Sequence, residues 1–308
     1  MGISNSVIQK VTLAAAIVAV AFSVFFVGCS SCNNKKNAAD VDTIDNDSNK
    51  TTVLSIGGEI ISIPSPIQTA FLINKVGATY DKDMINPTTN SVNYSTKFHK
   101  SLNLGVYGAD LGYVTMYDKT QEALGYLNTV RKLGDDLGVS SAFSPELIKR
   151  FQANFGKKDS MLRLVSVAYR QSDNYLKNNM QNDVSGLILT GGWVESMHFV
   201  TSVYKTKPNA DVKRRIGEQK STIESIIKLL SPYSDQKECA DLVEKMKDLE
   251  GAFKGVEFKY TFQKPTTDPD KQLTIINSTS EVTISDEQIK NITEKIAAIR
   301  TLISTSGK

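Results

Sequence analysis

Two apolar segments decide the fold of this chain: Ser101–Tyr117 reads SLNLGVYGADLGYVTMY, and Asp183–Tyr204 reads DVSGLILTGGWVESMHFVTSVY. Both are apolar nearly all round the helical period, a pattern typical of a helix that other helices enclose. Small residues recur along both segments, namely Ser101, Gly105, Gly108 and Gly112 in the first and Gly186, Gly191 and Gly192 in the second. Because glycine in a helix costs about 1 kcal/mol relative to alanine, we expect these residues to permit close helix packing.

Each segment carries one acidic residue in apolar company, Asp110 in the first and Glu195 in the second. An isolated buried carboxylate is costly, so each must pair, take up a proton or reach water. One interpretation is a polar binding pocket between the two helices, with Trp193 as a stacking wall. Its predicted binding residues are Asp110, Tyr113, Trp193, Glu195 and His198. The other interpretation is that tyrosine hydroxyls and helix ends satisfy both acids inside the core.

A metal site is the alternative function that the sequence offers. Glu195 and His198 form a Glu-x-x-His pair, which supplies two ligands from one helix turn in di-iron four-helix proteins. A di-iron site needs a second such pair, and the only other histidine, His99, has Thr96 three residues before it. A metal-assisted enzyme with a mononuclear site near Asp110, Glu195 and His198 therefore remains the alternative.

Other catalytic templates are missing from the sequence. It contains no Gly-x-Ser-x-Gly elbow, His-Glu-x-x-His motif, P-loop or dinucleotide-binding fingerprint. We therefore expect no cofactor and name no catalytic residue. The chain is 40% hydrophobic and 22% charged, with a net charge of +3, which is ordinary globular composition and gives no argument for nucleic-acid binding.

Helical periodicity continues on both sides of the two central segments, and Gly138, Gly156, Pro208 and Pro232 interrupt it. Ser144–Glu146 and Asp159–Ser160 resemble helix N-terminal caps. Cys239 falls on an apolar helical stripe, so we expect a small buried side chain and no disulfide framework. The basic cluster around Pro208 is interpreted as a solvated turn, with lipid headgroups as the alternative partner. The predicted helices span 67–76, 95–117, 119–137, 144–155, 160–180, 183–205, 211–230 and 236–254.

The last fifty residues change period. Val256–Gln263 alternates apolar and polar residues, which is typical of a half-buried strand, and Leu273–Asn277 and Glu281–Ile284 are weaker strand candidates. Ser285 and Gln288 form a capping-box pattern before a last helix. With a hairpin over Val53–Ile63, the predicted fold is mainly α, an antiparallel multi-helix bundle or array with a small antiparallel β element near the C-terminus, packed on the helical body.

The N-terminal region has the sequence pattern of an export signal. Val11–Val27 is a run of 17 uncharged, mostly apolar residues, and Phe26-Val27-Gly28-Cys29 at its end resembles the lipobox of bacterial lipoproteins. The resemblance implies cleavage before Cys29, a diacylglycerol thioether on its sulfur and further acylation, such as palmitate, of the lipoprotein. A retained transmembrane helix is the alternative, but it needs about 20 apolar residues.

These patterns divide the chain into a signal peptide over residues 1–28, a flexible tether over 29–52 and one helical domain over 53–308. Three stretches of that domain resemble motifs of an uncharacterised group of helical lipoproteins from Bacteroidota: Ile63–Pro66, Leu104–Leu111 and Gly191–Glu195. We therefore expect an envelope lipoprotein that is anchored to the outer membrane, faces the periplasm and binds or scaffolds an unknown ligand or envelope protein. Its other predicted partner is the lipid bilayer, through acylated Cys29.

Overall fold

The computed structural model describes residues 52–56, 59–139, 144–269 and 273–305. The predicted signal peptide, the lipidation site Cys29 and nearly all of the predicted tether lie outside these described residues. All described residues belong to one unit, Asn46–Lys308.

Helices dominate the described residues, as the sequence predicts, and the mainly α fold class is confirmed. The α-helices are α1 (Pro66–Lys75), α2 (Lys97–Met116), α3 (Thr120–Asp136), α4 (Pro145–Ala153), α5 (Lys158–Asn178), α6 (Asn182–Thr206), α7 (Ala210–Gly217), α8 (Lys220–Leu230), α9 (Lys237–Ala252) and α10 (Asp286–Thr305). The strands are β1 (Thr52–Ile56), β2 (Glu59–Ile63), β3 (Glu257–Thr261), β4 (Thr266–Asp268), β5 (Leu273–Ile275) and β6 (Thr279–Thr283).

Helices α2 and α6 form the centre of the fold and pack on each other more extensively than any other pair of elements described. Glycine makes this approach possible. A Cβ on Gly105 would overlap the carbonyl oxygen of Ile188, and a Cβ on Gly191 would overlap that of Leu102. The predicted packing role of these two glycines is confirmed. The neighbouring Gly112 and Gly186 instead face the side chains of Ile67 and Leu229.

Two hydrophobic clusters fill the body, and both central helices contribute to each of them. One cluster lies mainly among α1 to α5, and the other joins α6 to the elements from α7 to α10. Val200 belongs to the second cluster although its sequence neighbour Phe199 belongs to the first. An apolar surface on every side of α6 is therefore explained by burial on every side, as the sequence predicts for an enclosed helix.

Several predicted helix ends are confirmed by their hydrogen bonds. Ser144 Oγ accepts from the Leu147 N–H at 3.2 Å. Ser285 and Gln288 form the reciprocal capping box, with the Gln288 N–H donating to Ser285 Oγ at 3.1 Å and the Ser285 N–H donating to Gln288 Oε1 at 2.8 Å. Cys239 is free and buried in α9, and burial raises the pKa of its thiol.

Two helix predictions are wrong. Asp159 and Ser160 lie inside α5, which begins at Lys158, so they do not cap it. The predicted helix 211–230 is two helices, α7 and α8, separated at Glu218 and Gln219. This break lies where the backbone of Gly217 approaches Val282 of β6, with no room for a side chain between them. Gly217 is the last residue of α7, and glycine weakens a helix by about 1 kcal/mol relative to alanine, so the pattern is not continuously helical at this point.

The strands form three antiparallel two-stranded sheets. β1 pairs with β2, which confirms the predicted hairpin at the start of the domain, although its Gly57–Gly58 turn lies outside the described residues. β3 pairs with β6, and Phe258 lies opposite Val282. β4 pairs with β5, and Thr266 lies opposite Ile275. We call residues 257–283, the two strand pairs between α9 and α10, the arm.

The arm differs from the predicted half-buried sheet. Val256 and Ile284 at its base are buried, but Phe258, Tyr260 and Phe262 are 48%, 66% and 70% exposed. All five residues of β3 are exposed. The alternation in the sequence is real, but only the base of the arm packs on the helical body. The prediction that the whole strand is half buried is therefore wrong.

Candidate functional site

A charged pair lies in the interior between α6 and α10. Arg300 Nε donates to Glu195 Oε2 and Arg300 Nη2 donates to Glu195 Oε1, both at 2.8 Å. The Glu195 side chain is 0% exposed and that of Arg300 is 17% exposed. A planar guanidinium fits a carboxylate in this two-bond geometry. Burial lowers the pKa of Arg300, but the charge and hydrogen bonds of Glu195 outweigh that effect and leave it raised.

Asp110 of α2 joins this pair as a second buried acid. Its Oδ2 accepts from the Asn86 N–H at 3.2 Å, whereas its Oδ1 finds no hydrogen-bond donor among the described residues. Burial raises the pKa of Asp110 well above its usual value, and the negative charge of the neighbouring Glu195 raises it further. Arg300 acts in the opposite direction.

The raised pKa of Asp110 favours its protonated form. Burial is the main cause, and the negative charge of Glu195 adds to it. Two adjacent carboxylates cannot both ionise cheaply in an interior site, so one holds the proton. Because Glu195 is paired with Arg300, the raised pKa of Asp110 favours Asp110 as the neutral acid. The cluster then holds one negative and one positive charge.

The segment between α1 and α2 covers the cluster and supplies its neutral partners. Asn86 is 1% exposed; its side chain donates to Tyr94 Oη at 3.0 Å, and its carbonyl accepts from Tyr126 Oη at 2.9 Å. Arg300 Nη2 also donates to the Met84 carbonyl at 2.9 Å. Tyr94 Oη in turn donates to the Ser304 carbonyl of α10 at 3.0 Å. These bonds tie the loop to α10 and exclude solvent from the acids.

His198 lies one helical turn after Glu195 beside the same cluster. Burial lowers its pKa, Arg300 lowers it further, and Glu195 opposes them. The imidazole is therefore mostly neutral near neutral pH, since an unperturbed histidine titrates at about 6.5. A neutral ring beside an already compensated ion pair adds no charge to the interior.

The structure brings together only part of the predicted binding set. Asp110, Glu195 and His198 share one cluster, as the pocket hypothesis requires. Tyr113 lies elsewhere: its Oη accepts from the Asp81 N–H at 2.9 Å, and its ring stacks on Phe199.

Trp193 also points away from the acids. It belongs to the second hydrophobic cluster, and its indole N–H donates to Gln219 Oε1 at 3.0 Å. It is 2% exposed, so it does not form a stacking wall for a ligand at the acids.

Arg300 and Asn86 are the functional partners that the sequence reasoning missed. The acids were expected to find tyrosine hydroxyls or helix ends, but their direct partners are the guanidinium of Arg300 and the backbone N–H of Asn86. A signal for Arg300 was present, because it stands four residues after Ile296 and three before Ile303 on the buried stripe of α10. A charged residue on an apolar stripe needs an opposite charge inside the core.

Two cavities in the described part of the chain lie away from the acids. An apolar cavity of about 30 Å³ lies among α2, α3, α5 and α6, lined by residues such as Leu104 and Val165. Ligand pockets measure roughly 300–1,000 Å³. A surface depression of about 440 Å³ is lined by charges of both signs, including Lys254, Glu287, Lys290 and Glu294, at the junction of α9 and α10.

The described ranges show neither a metal-binding group nor a membrane-spanning helix. There, no three or more His, Cys, Asp or Glu side chains are grouped so that they could hold a metal ion. No helix in that part of the chain is long and apolar enough to span a bilayer.

The basic cluster around Pro208 is engaged within the chain. Lys213 pairs with Asp286 at 2.6 Å, and Arg214 pairs with Asp211 at 3.3 Å. Lys207 donates to the Gly77 carbonyl at 2.8 Å. These contacts favour the interpretation as a turn between helices over a free cationic patch.

Comparison with known proteins adds no further identity: no protein-family model, curated protein or solved structure matches this chain. The resemblance to helical Bacteroidota lipoproteins stays a prediction from the quoted motifs.

Proposed function

We propose that this chain is a membrane-anchored helical lipoprotein of the cell envelope, and that it works as a binding or scaffolding module through its surface. The lipobox-like Phe26–Cys29 sequence supports the anchor. In this proposal Cys29 carries the lipid, the tether bridges to the body, and the body faces the periplasm from the outer membrane.

The observation that carries the scaffolding role is the exposed apolar surface of the arm. Soluble proteins rarely leave a large contiguous apolar patch in water unless something covers it. The arm exposes six large apolar side chains: Phe258, Tyr260, Phe262, Leu273, Ile275 and Ile276. The buried acids support the same choice, because Arg300 already pairs with Glu195 and both Asp110 and Glu195 are fully buried.

The anchor is tested by cell fractionation and palmitate labelling in a bacterial host that matures lipoproteins. The unaltered chain is expected in the membrane fraction, labelled and shortened by its signal. Cys29→Ala loses the label and the cleavage, whereas the matched control Cys32→Ala keeps both. Identical processing of Cys29→Ala and the unaltered chain contradicts the anchor.

The scaffolding role is tested separately by crosslinking in intact cells. The expected product is a defined crosslinked species that is lost when Phe258, Tyr260 and Phe262 are changed to serine together. Changing the exposed Val92 and Met180 to serine is the control and leaves the species unchanged. A crosslinking pattern that the arm changes do not alter contradicts this role.

A further inference from the structure

The arm has one uncharged face that continues the hydrophobic core outwards. In an antiparallel pair, directly opposed residues point to the same face, and so do alternate residues along a strand. Phe258 and Tyr260 therefore share a face with their partners Val282 and Ser280. Val282 packs on Gly217 of α7 at the arm's base, and beyond that contact the face leaves the body.

The charges of these two strands lie on the opposite face. Glu257 and Lys259 alternate with the aromatic residues, and Lys259 stands directly opposite Glu281. A partner that covers the aromatic face therefore buries no charged side chain from β3 or β6. This removes the desolvation penalty that usually opposes the close contact of two identical charged surfaces.

The aromatic face supplies a large part of the area that a symmetric dimer needs. An aromatic side chain carries about 150–250 Å², so Phe258, Tyr260 and Phe262, 48% to 70% exposed, present roughly 350 Å². A standard protein interface buries about 800 Å² per partner. The three aromatic side chains therefore supply nearly half of that area, and the arm's backbone and other side chains supply the rest.

We infer that the arm is a dimerisation element: two copies of this chain pack the aromatic faces of their arms against each other about a twofold axis. The inference rests on the proposed scaffolding function and names its partner as a second copy. A twofold contact presents the same surface on both sides, so Phe258, Tyr260 and Phe262 meet their counterparts, and aromatic pairs add stability beyond the buried area.

A lipid bilayer is a weaker occupant of this surface. Residues 256–284 contain three lysines and four acidic residues, a net charge of −1. Interfacial segments that lie on anionic membranes combine an apolar face with an excess of Lys and Arg. The arm lacks that excess, so its apolar face has no electrostatic help at a headgroup surface.

The first test measures the mass of the purified, mature full chain by native mass spectrometry and by sedimentation in detergent. The unaltered chain is expected as a dimer. The triple change Phe258→Ser, Tyr260→Ser and Phe262→Ser is expected as a monomer at the same concentration, with an unchanged thermal melting curve because these side chains lie outside the core. Val92→Ser with Met180→Ser is the matched control and stays dimeric.

The second test maps the face by single cysteines in a Cys32→Ser background. Phe258→Cys, Tyr260→Cys and Phe262→Cys lie on the aromatic face, and at least one is expected to form an intermolecular disulfide under mild oxidation. Lys259→Cys and Thr261→Cys point to the other face and are expected to stay reduced. If Cys29 carries no lipid, its free thiol crosslinks every variant, so failure of the anchor is distinguished from failure of the dimer.

A monomeric unaltered chain, or equal crosslinking from both faces, overturns the inference. Loss of liposome binding in the triple variant of a monomeric chain assigns the surface to the bilayer. If a complex with a different protein depends on the same residues, the surface belongs to a heterologous partner. Either of these outcomes overturns the second-copy assignment.

Discussion

Arg300 of α10 holds Glu195 of α6 through two hydrogen bonds of 2.8 Å each, and this pair connects the C-terminal helix to the centre of the fold. The same guanidinium reaches the Met84 carbonyl in the loop before α2. Three separate parts of the chain therefore meet at one side chain. The pair contributes to holding these parts together rather than presenting a charge to solvent.

Removing the arginine is expected to destabilise the fold strongly. Arg300→Met leaves Glu195 buried without its counter-charge, and breaking a buried ion pair from one side costs about 3–5 kcal/mol. Urea unfolding at neutral pH measures this as a lower midpoint. Arg214→Met is the control, because Arg214 pairs with Asp211 at the surface and such pairs contribute about 0–1 kcal/mol.

The double change Glu195→Gln with Arg300→Met completes this experiment. It removes both charges, so we expect it to recover part of the stability that Arg300→Met loses. A double variant at least as unstable as the sum of both single variants contradicts the charge-pair explanation.

Asp110 gives the fold a pH dependence of predictable sign. Its pKa is raised in the folded state, so the folded protein keeps a proton that the unfolded chain releases above about pH 4. The stability contributed by this group is complete below that pH and falls as the pH rises towards the folded pKa. Asp110→Asn has no carboxyl group to titrate at this position. We therefore expect the urea midpoint of the variant, relative to that of the unaltered chain, to rise between pH 4 and pH 8.

Comparison of the two proteins isolates this group, because the other titratable residues, including His198, are present in both. Asp286→Asn provides a control of opposite sign: hydrogen bonding to Lys213 lowers the pKa of Asp286, so its contribution is lost as the pH falls. A constant difference between Asp110→Asn and the unaltered chain at every pH contradicts a protonated Asp110.

The contact of α2 with α6 predicts a strong effect of one methyl group. Gly105→Ala and Gly191→Ala each place a Cβ against a backbone carbonyl of the other helix, and backbone cannot move aside as a side chain can. We expect each change to lower stability by about 3 kcal/mol or more, in the range of severe core overpacking.

The matched control for these glycines is Gly125→Ala in α3. A Cβ there meets no atom within 4 Å, so the helix propensity of alanine raises stability by about 0.5–1 kcal/mol. Thermal melting of the three variants tests the predicted loss of stability at Gly105 and Gly191 and the predicted gain at Gly125. An equal response at Gly105 and Gly125 contradicts the close crossing.

Local periodicity predicts the helices because it depends only on residues that are close together in the sequence. The enclosed segments around Gly105 and Gly191, the cap at Ser144 and the capping box at Ser285 all depend on neighbours a few positions away. The close approach of Gly217, the last residue of α7, to Val282 involves instead a residue far along the chain. No window of local sequence contains that contact.

The partners of the buried acids follow the same rule. The sequence indicates that Asp110 and Glu195 need partners, since their apolar surroundings forbid isolated charges. Choosing Arg300 for Glu195 requires the docking of α10, 105 residues away. The arm shows the converse case, because alternation in Val256–Gln263 predicts two faces but not whether either face is covered.

Trp193 provides a spectroscopic test of its own placement. It is the only tryptophan of the chain and is 2% exposed, so native fluorescence is expected at short wavelength, with weak quenching by acrylamide. Unfolding in urea should shift the emission to longer wavelength and raise quenching several-fold.

Gln219→Leu removes the acceptor of the indole N–H at 3.0 Å, which costs about 1–3 kcal/mol for an unsatisfied buried donor. Strong quenching of the native protein contradicts the buried position of Trp193 and favours the hypothesis that its ring lines a ligand pocket.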